Sequence, residues 1–179
     1  MKKTLLLLAL FIATNLHAQE KMTSTNGIIS FEASVPFFEN VEAKNETVNS
    51  YLNTKKGQVS FVVYINMFHF QRSLMEEHFN ANYLESKKYP KATFKGVIEK
   101  FEIKNIDFHT NVYYISGKIT IHGKSKNIRV PAKIKKLGKG LELQSNFTIN
   151  TDDFNIAIPY IVRNKISKEV TITLYSVIQ

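Results

Sequence analysis

The chain contains no cysteine, which excludes disulfides, a thiol nucleophile and a lipid anchor on an N-terminal cysteine. It has no Gly-x-Ser-x-Gly elbow and no pair of histidines at the spacing of a zinc helix; Glu77-His78 is only half of a His-Glu-x-x-His motif. The histidines after the first residues, His69, His78, His109 and His122, are dispersed. Asp152-Asp153 are neighbours whose side chains diverge, so they read as a turn ahead of Phe154 and not as a catalytic carboxylate pair. These absences exclude the common metal and covalent catalysts and point to a protein that is not an enzyme, with no metal and no cofactor. The remaining enzymatic alternative sets His78 or His122 beside a carboxylate. Beyond the first residues there is also no apolar run long enough to cross a bilayer.

Acidic residues are few, 15 against 24 lysines and arginines, for a net charge of +9. Part of that excess sits in Lys2 and Lys3, ahead of the apolar run Leu5 to Ile12 and the small residue of Leu16-His17-Ala18. This is the pattern of a cleaved signal peptide over residues 1–18, with Gln19 as the mature N-terminus. Cleavage leaves 161 of the 179 residues and reduces the basic side chains to 22, a net charge of +7. That length suits one domain, residues 19–179, with its own core. The other lysines fall singly at outward strand positions (Lys118, Lys133, Lys135) or in short turns (Lys55-Lys56, Lys87-Lys88, Lys124). A solvated surface accounts for them, and no nucleic-acid partner is implied.

What the chain has in quantity is two-residue periodicity. Ile115, Gly117, Ile119 and Ile121 point one way and Tyr114, Ser116, Lys118, Thr120 and His122 the other. After a turn at Gly123-Lys124-Ser125-Lys126, Ile128, Val130, Ala132 and Ile134 resume the apolar face. Ile29, Phe31 and Ala33 mark a strand over 27–33. Val59, Phe61, Val63, Ile65 and Met67 mark another from Gly57, and Phe94, Gly96 and Ile98 a third. Gly138 and Gly140 turn the chain into Leu141, Leu143, Ser145, Phe147 and Ile149. Phe154 to Val162 follows Asp152-Asp153, and Val170, Ile172, Leu174, Ser176 and Ile178 form the last strand. Between Gln71 and Lys88 the period lengthens: Leu74, Met75, His78, Phe79, Asn82 and Tyr83 define one amphipathic helix, ended by Tyr89-Pro90. Residues 35–56 fit neither period well and stay open; within them Glu42 to Leu52 reads as either a short strand or a helical turn. Seven or eight antiparallel strands with hairpin-length links make an all-β domain, a small closed barrel or a sandwich. Periodicity reports which face is buried, not whether the centre is empty, so a packed core and a lined tunnel both stay open.

Three segments carry a family likeness. Leu84-Glu85-Ser86-Lys87-Lys88-Tyr89-Pro90-Lys91-Ala92-Thr93-Phe94, Gly117 to Lys126, and Phe147-Thr148-Ile149-Asn150-Thr151-Asp152-Asp153-Phe154 together resemble the YceI-like family in content, order and spacing. The stretch Val35-Pro36-Phe37-Phe38 departs from it, standing where the family often carries a histidine followed by Gly-x-Phe. The resemblance implies an antiparallel eight-stranded lipocalin-like β-barrel with one short helix, a periplasmic location, and a long-chain lipid or polyisoprenoid held inside. The lumen positions that follow are Phe61, Val63 and Ile65; Phe79 and Tyr83 from the helix; Phe94, Ile119 and Ile121; and Phe147, Ile149, Phe154, Ile172 and Leu174. Arg72, His78 and Arg163 are candidates for the head group, because a pyrophosphate or carboxylate favours a guanidinium at the mouth. Each arginine also reads as an ordinary surface residue, and His78 as a helix-packing or capping histidine. The alternative function is a binding or assembly module with a filled core, homodimeric through a strand edge near Val177 or through residues 35–56.

Overall fold

A computed structural model describes residues 20–179; the expected signal peptide at 1–18 and its cleavage point lie outside them. Eight strands close a ring: β1 (Lys21–Ser34), β2 (Glu42–Asn53), β3 (Gln58–Tyr64), β5 (Lys91–Ile98), β6 (Asn111–Ile121), β7 (Lys124–Leu137), β8 (Gly140–Asn150) and β9 (Ile166–Ile178). The two-residue β4 (His69–Phe70) is an appendage on β2. Every pairing is antiparallel, in the order β1-β9-β8-β7-β6-β5-β3-β2, and the β1–β2 pairing closes the barrel. Closure leaves no ring strand with a free edge. The edge expected near Val177 is therefore absent, since β9 pairs with β1 on one side and β8 on the other.

The most regular part is the one with the most regular sequence. β6 and β7 stay in step from Asn111↔Ile134 to Ile121↔Lys124 without a slip. Their link is shorter than the expected 123–126 turn: His122 and Gly123 alone make it, at φ 49° and 74°. Two successive positive-φ residues match the right-handed twist of a hairpin. β5 and β6 meet at Gly96 opposite Gly117, where a Cβ on Gly117 would lie 2.4 Å from the Lys95 carbonyl oxygen and 2.7 Å from the Phe94 ring. The glycine pair lets the Phe94 ring fold over the backbone on the inner face.

Four segments differ from the sequence-based expectation. Residues 42–53 form a full strand whose inward positions are Ala43, Asn45, Val48, Ser50 and Leu52. Two polar members and a register shift against Gly27 hide the alternation. Asn45 is fully buried; its amide donates to the Tyr64 carbonyl at 2.9 Å and its Oδ1 accepts from Thr47 N and Oγ1. The strand expected to reach Met67 stops at Tyr64 and turns through a 3-10 segment at Ile65–Met67. The expected helix over 71–88 is one short α1 (Ser73–His78) that widens into a π turn at Phe79–Tyr83. The widened turn, closed by Leu84 N donating to Phe79 O, buries Phe79 and Leu84 and leaves Leu74 and Asn82 exposed. Finally, 154–162 is not extended. A 3-10 turn at Thr151–Phe154 ends at Asn155, φ 54°, and a second spans Tyr160–Val162.

Among the described residues no helix is long and apolar enough to cross a membrane. The core occupies one end of the barrel, where Val48, Leu52, Val59, Ile98, Ala132, Ile134 and Ile178 are each at most 2% exposed. Within it the Ser50 and Ser176 hydroxyls pair at 2.8 Å.

Candidate ligand cavity

Along each strand the inner face changes character at one level. Val59, Ile98, Ile134, Leu141 and Ile178 pack against one another at the filled end. Two to six residues further along the same strands Phe61, Val63, Phe94, Ile128, Val130, Leu143, Phe147, Ile172 and Leu174 line a cavity of about 400 Å³. Small-molecule sites run from about 300 to 1,000 Å³. Its walls are almost entirely hydrocarbon and aromatic. Ser145 is an interior exception, and its hydroxyl is already committed to the Pro131 carbonyl at 2.7 Å.

One flank is a cluster of phenylalanines. Phe79 stacks on Phe31 at a centroid separation of 5.4 Å and meets Phe68 and Phe70 at 5.5 and 5.1 Å. These rings come from β1, the 3-10 segment's exit, β4 and the π turn, so the widening after α1 is what brings Phe79 to the wall. The mouth lies at the same end. Exposed side chains Glu39, His78 and Lys165 line it, together with Ser167, Met75, Ile158 and Val162. Thr151, buried and on the cavity wall, has a hydroxyl with no hydrogen-bond partner among the described residues. A buried polar atom without a partner costs free energy, so this hydroxyl is open to a hydrogen bond from a bound molecule. Tyr83 also lines the cavity, and its partial burial pushes the phenol above its ordinary pKa, keeping it neutral as a hydrogen-bonding group.

The YceI-like domain model matches residues 18–178. The chain belongs to the YceI-like family. Among solved structures, the polyisoprenoid-binding domain from Saccharophagus degradans superposes with a TM-score of 0.79 at 13% identity, covering 89% of this chain and 98% of that one. Burkholderia cenocepacia BcnA gives 0.69 at 19% identity, covering 86% and 96%. The Campylobacter jejuni YCEI protein gives 0.59 at 19%, covering 78% and 85%. At these identities the likeness is one of fold. A comparison with curated proteins finds no significant match.

On this YceI-like barrel the sequence-derived lumen set divides. Phe61, Val63, Ile65, Phe79, Tyr83, Phe94, Ile119, Ile121, Phe147, Ile149, Ile172 and Leu174 all line the cavity, and His78 stands at its mouth. Phe154 does not: it is fully buried in the packing below the 151–154 turn. Neither arginine lines the cavity. Arg72 pairs with Glu39 at 2.5 Å, and the Arg163 guanidinium lies 3.9 Å over the Tyr160 ring. The cationic group on the wall is instead Lys165. Phe31, Phe68, Phe70 and Leu84 were not among the expected lumen residues; Phe31 sat on a recognised apolar face, whereas Phe68 and Phe70 lie in a segment too short for any period.

His122 and a carboxylate do come together, though away from the cavity. Its Nε2 lies 2.7 Å from Glu85 Oε2 and its Nδ1 3.2 Å from the Phe154 carbonyl, with Tyr89 edge-on at 4.5 Å. Both ring nitrogens face acceptors, and the side chain is 11% exposed. The contact fastens the β6–β7 turn to the exit of the helix and to the 151–154 turn. Among the described residues no group of three or more side chains is placed to hold a metal.

Proposed function

We propose that this protein is a periplasmic lipid carrier that holds the tail of an isoprenoid or similar long-chain amphiphile in the barrel, without catalysis. The observation that carries the reading is the hydrocarbon-walled cavity of about 400 Å³ opening at one end of a closed barrel whose other end is solid. Leaving water contributes about 0.8 kcal/mol per buried methylene, so a dry cavity retains an apolar tail with no covalent step. The polyisoprenoid-binding domain of Saccharophagus degradans shares this architecture. The leader-like first residues support export.

The solid end fixes orientation. A tail enters first and stops at the level of Ile115 and Leu143, which leaves the head group at the mouth among Thr151, His78 and Lys165. Because the volume is limited, affinity rises with chain length only until the cavity is full. A titration of isoprenoid alcohols of increasing length tests this directly. Each added carbon tightens binding by about fourfold at first, at about 0.8 kcal/mol per methylene, and then a plateau follows once extra carbons protrude. Affinity independent of chain length from the shortest member onward would contradict the reading.

A further inference from the structure

We propose that the rim of the cavity mouth docks on an anionic bilayer surface, with the apolar tips of three segments inserted among the lipids. The inference rests on the lipid-carrier reading: a cavity that loads a bilayer lipid has to meet a bilayer. Its evidence comes, apart from Lys165 and Glu39, from side chains outside the cavity wall.

Large apolar side chains stand in solvent around the mouth. Phe37 is 105% exposed, Ile161 86%, Tyr160 78% and Leu74 60%. None of the four lines the cavity. The fold gathers them: Ser34↔Ile166 and Glu32↔Glu42 set segments 35–41 and 160–165 side by side where β1 ends and β2 and β9 begin. The Arg72–Glu39 ion pair brings the start of α1 to the same rim. Phe37 is presented under strain. It occupies the third position of the Val35–Phe38 turn, closed by Phe38 N donating to the Val35 carbonyl at 3.1 Å, with φ 70°. Proline at the second position and positive φ at the third is the turn that favours glycine there. A phenylalanine in its place spends backbone strain to hold an aromatic ring outward, a combination typical of functional positions.

Charge supplies the identity of the surface. Arg163 lies over Tyr160 and Lys165 follows two residues later, and neither is held in an ion pair among the described residues. Glu39 is tied to Arg72, Glu42 accepts from Gln71, and Glu76 and Glu77 sit on α1, so the positive side of the rim is the 160–165 loop. Aromatic and aliphatic tips beside unpaired cations fit the interface of an anionic bilayer, where rings sit at the head-group level and cations meet lipid phosphates. The opposite end of the barrel also exposes Phe108 and Val112, with Lys136 over the Phe108 ring, but neither lines the cavity, which makes that end an internal control.

Flotation of the mature chain with vesicles of phosphatidylethanolamine and phosphatidylglycerol, against vesicles of phosphatidylcholine alone, tests the proposal. The wild type is expected to float with the anionic vesicles and to be released by salt. The double variant Phe37→Ser/Ile161→Ser should lose more than about tenfold in vesicle affinity, Arg163→Gln roughly fivefold, and Phe108→Ser/Val112→Ser nothing. Equal flotation of rim and control variants, or no flotation of the wild type, overturns it. Uptake of a solution-dispersed polyprenol, read by native mass spectrometry on the same samples, separates the two claims. Uptake without flotation sinks the docking rim and spares the carrier. Rim-dependent flotation without uptake does the reverse.

Discussion

The two ends of this barrel are built from the same strands and do opposite things. At the filled end Leu52, Val59, Ile98, Ile134 and Ile178 interdigitate to near-zero exposure; at the open end Phe61, Val63, Ile119, Ile172 and Leu174 face a void. The residue types barely differ. What differs is whether the opposite wall comes within contact distance, and that is decided by the Phe94 ring over its glycines, the phenylalanine cluster and the loops at the mouth. A hydrophobic face thus yields either stability or a binding site, according to what the rest of the ring places across from it.

Truncations at the two ends give the largest contrast. Ile134→Ala, in the filled half, should destabilise by about 2–5 kcal/mol in denaturant unfolding, because the hole it leaves has no room to collapse. Ile172→Ala, on the cavity wall, should cost less than half of that, since the wall is already partly without contacts there. Equal losses would dissolve the distinction between the ends. Ser176→Ala, at the filled end, strands the buried Ser50 hydroxyl and should cost about 1–3 kcal/mol, with Ser50→Ala/Ser176→Ala recovering part of the loss. A double variant as unstable as the sum of the singles would mean that the hydroxyls do not interact. Enlarging a side chain at the other end has the opposite signature: Val63→Trp should leave the unfolding free energy within about 1 kcal/mol, since the cavity has space a packed core lacks, while abolishing uptake of polyprenyl lipid. Retained uptake would remove the cavity as the site.

The smallest effect belongs to the outer surface. The Arg129 guanidinium, bidentate to Glu99 at 2.8 Å, and the Ser116 hydroxyl at 2.6 Å hold the Glu99 carboxyl down to about 2. A carboxyl lowered in the folded state stabilises it above the ordinary glutamate range and loses that contribution as pH falls toward about 2. The acid limb of a pH–stability profile should therefore be slightly flatter in Glu99→Gln, by an amount limited by solvent screening. An unchanged profile would show that the staple contributes nothing.

The closed end was more legible than the open one, for a physical reason. Wherever a strand alternates cleanly, as in β3, β6, β7 and β8, sequence reading finds its inner face, though β3 stops short of the expected Met67. β2 escaped because Asn45 and Ser50 hold inward positions with hydrogen-bond partners no pattern reveals, and because the bulge against Gly27 shifts its phase. The mouth was misjudged in detail: α1 is short and widened, Phe154 plugs the packing instead of lining the lumen, and Arg72 and Arg163 turn to Glu39 and Tyr160. Periodicity records the side of a strand that is covered. It does not record what stands opposite, so the existence of a void, and of Thr151 and Lys165 on its wall, required the three-dimensional arrangement.

The central claim is that the open end holds a lipid tail. Native mass spectrometry of residues 19–179, purified from cells without detergent and followed by organic extraction, tests it most directly. The account predicts a stoichiometric added mass that extracts as a polyprenyl or other long-chain lipid and is missing from Val63→Trp. A bare mass that also fails to take up added polyprenyl lipid would contradict it.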